Sequence, residues 1–223
     1  MSWRPDWRQR LRPLMGPGAL VLLVVLFASL YPNTFFTKTN LVNNVLGQVT
    51  FLIIVASVQT VVMVVGEFDL SVSGLAALAT VMCATMINTT SLSGTPEQPG
   101  SVLLAVMLGL FIGLVGGLLN GVLVSYIGVL AFIATLGMSV VFKSLALRWV
   151  DGKPVYGLVQ EGFVDVVRGQ WLGVPKTIYF AAVIALAVWF LLDHTALGRK
   201  MYAVGGNPEA ARYSGIDVKR VRL

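Results

Sequence analysis

SVLLAVMLGLFIGLVGGLLNGVLVSYI, residues 101–127, contains no charged side chain. About 20 apolar residues cross the hydrocarbon of a bilayer at a rise of 1.5 Å each, so this run spans it with length left to tilt or protrude. Five further apolar runs lie at about Leu14–Tyr31, Leu41–Val65, Leu70–Ile87, Val129–Val150 and Thr177–Leu192, the first and last of them short. Gly128 separates the fourth run from the fifth, because together they are too long for one crossing. The expected fold is all-α: a polytopic transmembrane helical bundle of about six spans.

Composition agrees. The chain is 57% hydrophobic and only 12% charged, with a mean hydropathy of +0.83. A soluble domain carries about 25% charged residues, and fewer do not cover a water-facing surface. The net charge of +6 is not that of a nucleic-acid binder, because the basic residues flank apolar runs. Cys83 is the single cysteine, so no intrachain disulfide forms. The sequence shows no metal-ligand cluster, no nucleophile–histidine–carboxylate set and no G-x-x-x-x-G-K-[ST] phosphate loop. We therefore expect no enzyme, and no metal or cofactor bound by this chain.

Lysine and arginine placement sets the orientation. With the N-terminus inside, the inner segments hold Arg4, Arg8, Arg10, Arg12, Arg199, Lys200, Arg212, Lys219, Arg220 and Arg222, whereas the outer ones hold Lys38, Lys153, Arg168 and Lys176. Both termini are expected in the cytoplasm. The organisation is then a basic N-terminal segment, 1–13, a transmembrane domain, 14–192, with an external loop at 151–176, and a cytoplasmic tail, 193–223. No small-residue cleavage site follows the first apolar run, which does not read as a signal peptide. Trp3, Trp7 and Leu11 alternate with Arg4, Arg8 and Arg12 at helical spacing, an arrangement suited to an anionic lipid surface.

The tail contains a short helix. Asn207 is a good N-cap, Pro208 fits the first helical position, Glu209 complements the helix dipole, and Gly215 can end the helix left-handed. Two turns are not stable alone, so the helix must dock.

Polar residues inside the spans are the other candidates. Asn44, Gln48 and Gln59 form a stripe on the second span, which serves either helix–helix hydrogen bonding or a polar solute path. Ala105, Gly109, Gly113, Gly117, Gly121 and Ser125 recur every four residues as a packing seam, with Asn120 beside it. Between spans two and three lie Glu67, Asp69 and Ser71. Asp69 either caps the third span or belongs to a functional site. Glu67, an ionisable group close to hydrocarbon, reads as functional, with Lys143 and Arg148 as available partners.

Gly66-Glu67-Phe68-Asp69-Leu70-Ser71-Val72 resembles the G-G-x-D-L-S-V-G signature of the ribose-type ABC sugar permeases. The tail from Thr195-Ala196-Leu197-Gly198-Arg199 through Gly205-Gly206-Asn207-Pro208-Glu209-Ala210-Ala211 to Ser214-Gly215-Ile216 is similar to that family's cytoplasmic coupling loop, and Ala131–Met138 and Leu172–Pro175 also look like family segments. The likeness runs from about Asn40 onward. It implies one of a pair of membrane subunits, with itself or a relative, in a bacterial inner-membrane importer. A periplasmic or lipid-anchored binding protein would deliver a monosaccharide, ribose-, xylose- or galactose-like. A separate ATPase subunit holding ATP-Mg would grip Gly205, Gly206, Asn207, Pro208, Glu209, Ala210, Ala211, Arg212, Ser214 and Gly215. Asp69 and Ser71 would belong to the membrane-embedded signature.

The chain departs from the pattern at Glu67, which replaces a glycine, at Ser73-Gly74, and at Ser125–Val129, which lacks the basic residues often seen there. Family members continue into further helices, so a chain stopping at Leu223 reads as truncated. Other readings are an ion-coupled secondary carrier using Glu67 and Asp69, a non-transporting truncated permease, and a permease for branched-chain amino acids.

Overall fold

A computed structural model describes residues 7–87, 101–155, 164–165 and 169–223, with side chains from residue 15 onward. The stripes of Trp3, Trp7 and Leu11 and of Arg4, Arg8 and Arg12 therefore lie outside the described side chains, as does part of the 151–176 loop. The chain forms two compact units, residues 1–49 and 50–223.

In the first unit, α1 (Trp7–Leu30) is followed by a turn and a π-helical stretch, Thr39–Leu46. The turn is closed by the Phe35 N–H donating to the Tyr31 carbonyl at 2.9 Å. The π-helical stretch passes into α2 (Gly47–Val64), and together they make a 26-residue apolar helix, Thr39–Val64.

The second unit continues with α3 (Val72–Ile87), α4 (Val102–Val122) and its π-helical extension Leu123–Ile127, α5 (Ala131–Trp149) and α6 (Lys176–His194). Ser101 caps α4 by accepting the Leu104 N–H at 3.4 Å. Gly128 has φ +83°, a left-handed conformation that costs glycine little and reverses the chain between α4 and α5. Among the described residues, four helices are long and apolar enough to cross a membrane, and two shorter apolar ones occupy Met15–Leu30 and Val72–Ile87. At most 33% of any long span is buried within the chain, so most of its apolar surface faces outward, as lipid requires. The protein is a polytopic helical membrane protein.

One element departs from the all-α expectation. Gln170–Trp171 pairs antiparallel with Val174–Pro175. Leu172 and Gly173 at the tip both have positive φ, which matches the right-handed twist of a two-residue hairpin. The Tyr179 hydroxyl of α6 donates to the Trp171 carbonyl at 3.0 Å and holds the hairpin to the helix.

Two apolar cores organise the second unit. α3 lies along α4 and α5, with Leu78, Phe142 and Ala146 buried between them. The other core gathers the end of α2, the end of α6 and three tail helices: α7 (Ala196–Gly206), α8 (Pro208–Tyr213) and α9 (Val218–Arg222). Val65, Leu192, Met201, Val204, Ala211 and Val218 are its buried members. The tail helix thus docks first on its own chain.

The approach of α7 to α2 is at backbone contact. A Cβ added at Gly205 would overlap the Val64 carbonyl, whereas one at Gly206 would meet nothing within 4 Å. Gly205→Val is therefore expected to loosen the tail by about 1–3 kcal/mol through overpacking. In nanodiscs, limited proteolysis of residues 207–223 should accelerate roughly five-fold or more. Gly206→Ala should leave the cleavage rate unchanged.

Candidate functional site

The 16-residue α3 rises about 24 Å, short of the roughly 30 Å of hydrocarbon. The extended residues before it must therefore have their backbone groups satisfied by protein. The Glu67 N–H donates to the Val62 carbonyl at 3.2 Å. Gln59, in the amide orientation that satisfies both of its polar atoms, accepts the Asp69 N–H at 3.2 Å and donates to the Asp69 carbonyl at 3.3 Å. Thr135 of α5 accepts the Leu70 N–H at 3.0 Å. Its hydroxyl donates its single proton to the Ala131 carbonyl at 2.8 Å, with the Phe68 carbonyl oxygen 3.4 Å away. Asp69 does not cap the first turn of α3. Its carboxylate accepts the Ser71 N–H at 2.7 Å, a side-chain turn just ahead of the helix.

This segment walls a cavity of about 380 Å³, within the range of ligand pockets. Glu67, Asp69, Asn120, Thr135 and Arg222 contribute its polar groups. Asn120 is only 5% exposed and donates to the Ser71 hydroxyl at 2.6 Å, while its amide oxygen is buried without a partner. Glu67 pairs with neither Lys143 nor Arg148. Arg148 binds Asp151 one turn on, and Glu67 Oε1 lies 3.2 Å from Arg222 Nη1. The cause is distance along the fold: α9 packs beside the loop, whereas Arg148 sits at the far end of α5 from Ala131 and Thr135, which line the cavity.

Sequence reasoning missed two members of this site. Thr135 was visible only as a hydroxyl within the apolar segment Ala131–Met138. Arg222 was counted only as a flanking base.

The remaining candidates divide. Gln59 joins the site, while Asn44 and Gln48 are exposed in the first unit, where Asn44 donates to Asn40 Oδ1 at 3.3 Å. Within this chain the glycine seam does not act as one packing face. A four-residue repeat rotates about 40° per step on a helix of 3.6 residues per turn. Gly109 meets Cys83 Sγ, with only 3.0 Å available to an added Cβ, and Gly121 meets Leu223. Gly113 and Gly117 meet nothing within 4 Å and face the cavity. The contact with α3 and α5 follows Ala105, Gly109, Ile112, Gly116 and Asn120 instead, close to the helical period.

The tail helix is locally over-determined. Asn207 Oδ1 accepts the N–H groups of Glu209 and Ala210, each at 3.0 Å. Its end is a Schellman turn: the Ile216 N–H donates to the Ala211 carbonyl and the Gly215 N–H to the Arg212 carbonyl, both at 3.0 Å, with Gly215 at φ +81°. Ala211 is buried, as is Met201 beneath it. Glu209, Ala210, Arg212 and Ser214 point outward, and Tyr213 is 91% exposed.

Comparison with known proteins places the chain in a family. The chain is 38% identical over 216 residues to the ribose import permease protein RbsC of Bacillus subtilis, covering 96% of this chain and 63% of the relative. It is 34% identical over 212 residues to the ribose import permease of Escherichia coli K12, covering 92% and 61%. It is 34% identical over 200 residues to the D-allose transport system permease protein AlsC of the same organism, covering 90% and 58%. The chain thus spans less than two thirds of the length of these relatives. No solved structure matches it significantly. Residues 41–223 match the family described as the branched-chain amino acid transport system / permease component, and the chain belongs to that permease family.

Proposed function

We propose that this chain is the membrane-spanning part of an ATP-binding cassette importer for a monosaccharide. The carrying observation is its 34–38% identity, along nearly its whole length, to permeases named for ribose and D-allose. On this reading it does not hydrolyse ATP. A separate ATPase subunit binds ATP-Mg, a substrate-binding protein delivers the sugar from outside, and a second permease copy completes the path across the bacterial inner membrane. The excess of lysine and arginine at both ends supports a cytoplasmic tail. The exposed face of α8, set between the Asn207 cap and the Gly215 turn, supports the assignment of Gly206, Asn207, Pro208, Glu209, Ala210, Arg212, Ser214 and Gly215 to the ATPase contact, whereas Gly205 and Ala211 pack on this chain.

The cavity supports a solute path. Glu67, Asp69 and Asn120 offer acceptors and Arg222 offers donors, the chemistry that hydroxyl-rich solutes take. Ser71, through Asn120, fixes the amide that faces the path. The chain then supplies a passive path, and the nucleotide cycle of the partner supplies the free energy. Moving the membrane dimer from mostly inward to mostly outward needs about 5.5 kcal/mol of differential partner binding between ATP-bound and ATP-free states.

Vesicles holding the permease with its ATPase and binding protein should accumulate labelled ribose or a related aldose only with internal ATP. Dissipating the proton or sodium gradient at constant ATP should leave that uptake intact, and its collapse would point to an ion-coupled carrier. Accumulation of leucine or isoleucine instead of sugar would move the substrate to the class in the family's description.

Gly215→Pro tests the tail. Proline is confined to negative φ, so it breaks the left-handed turn that ends α8. Co-purification of the ATPase and uptake are both expected to fall roughly ten-fold or more, for a loss of about 1.4 kcal/mol or more. Unchanged values would remove the coupling role.

A further inference from the structure

We propose that the Glu67–Arg222 ion pair is a releasable latch between the tail and the solute cavity. The inference rests on the importer reading above and adds how force from the tail reaches the path.

Three features of α9 carry it. First, α9 is joined stiffly to α8. The Schellman turn fixes the exit from α8, Ile216 packs on the shared core, and Asp217 caps α9 by accepting the Arg220 N–H at 3.2 Å. Second, α9 touches two membrane elements. Lys219 Nζ stands 5.8 Å from the centre of the Tyr126 ring at the end of α4, and Arg222 reaches Glu67 ahead of α3. Third, Val65 and Gly66 at the start of the loop pack against the tail, whereas the residues after Glu67 bond to the bundle, through Gln59, Thr135 and Asn120. Among the described residues, Glu67 makes the one side-chain bond from this loop to the tail.

The contact has the character of a switch. Arg222 and Glu67 are 27% and 20% exposed, so their attraction is less screened than that of a surface pair. It is nonetheless a single-point contact. Arg222 Nε is buried without a partner, where a bidentate fork would have used a second donor. Both residues line the cavity, so parting them changes its wall and frees two charges to face a solute. A pull on α8 that shifts α9 breaks this contact while the loop keeps its other bonds.

The test uses the permease assembled with its ATPase and binding protein in proteoliposomes, measuring sugar taken up per ATP hydrolysed. Glu67→Gln and Arg222→Gln are each expected to co-purify with the ATPase and hydrolyse ATP, yet to lower that ratio roughly five-fold or more. The exchanged pair, Glu67→Arg with Arg222→Glu, should recover at least about half of wild type, since it restores the attraction. Arg222→Lys, which keeps the charge where Arg222→Gln fails to assemble, should do the same. An unchanged ratio in both neutralised variants overturns the latch. So does an assembled exchanged pair, or Arg222→Lys, that stays as low as the neutralised forms. A wild-type complex without ATP-driven uptake overturns the importer reading itself, and that result is separable because the latch is read only as a change from a working wild type.

Discussion

Everything at the cavity follows from one requirement: the non-helical backbone between α2 and α3 must find its hydrogen bonds inside the protein. An unsatisfied buried peptide group costs about 1–3 kcal/mol, more than a marginal loop withstands. Gln59 meets the need at Asp69 and Thr135 at Leu70. The two side chains come from different helices, so the loop also ties α2 to α5. Once Asp69 is held by its backbone, its carboxylate is free to turn back on Ser71, and Ser71 receives Asn120 from α4. A constraint on peptide groups thereby sets the positions of the carboxylates, the amide and the hydroxyl around one space.

The tail obeys a different physics. Its helices are too short for intrinsic stability, so they fold by sharing a core built from Met201, Val204, Ala211 and Val218 on the ends of α2 and α6. Burial draws one side of each helix inward and leaves the other outward. The fully exposed Tyr213 beside the buried Ala211 is the sharpest instance. A surface made this way is rigid without being large, and a load applied to it passes into the membrane helices through the close contact at Gly205 and through α9.

Local chemistry was legible in the sequence and distant chemistry was not. The Asn207 cap and the left-handed turn at Gly215 depend on residues within one helical turn, so residue type and spacing sufficed, and Gly128 marked the break between two runs. The apolar spans were legible because length against bilayer thickness is a strong constraint. The Glu67 partner was not legible, because the pair joins positions far apart in sequence and any of several bases met the same rule. The seam divides within this chain for a simpler reason. Spacing by four looks like a face over two turns and becomes a spiral over six, which turns Gly113 and Gly117 away from the helices that Gly109 approaches. The π-helical stretches at Thr39–Leu46 and Leu123–Ile127 carry no residue signature that periodicity detects.

The distribution of burial shows where such a bundle is firmly packed. In lipid, outward-facing side chains gain nothing by turning inward, so helix association rests on close packing and a few polar bonds. Here the close packing is concentrated in two small cores, one around Phe142 and one beneath the tail. Between them lies the cavity, with Asn120 and Arg222 each keeping a buried polar atom unpaired. An unpaired buried polar atom costs about 1–3 kcal/mol, so each destabilises the present arrangement. Packed cores resist continuous deformation, so on the importer reading a change of shape would fall at this polar space and not within either core.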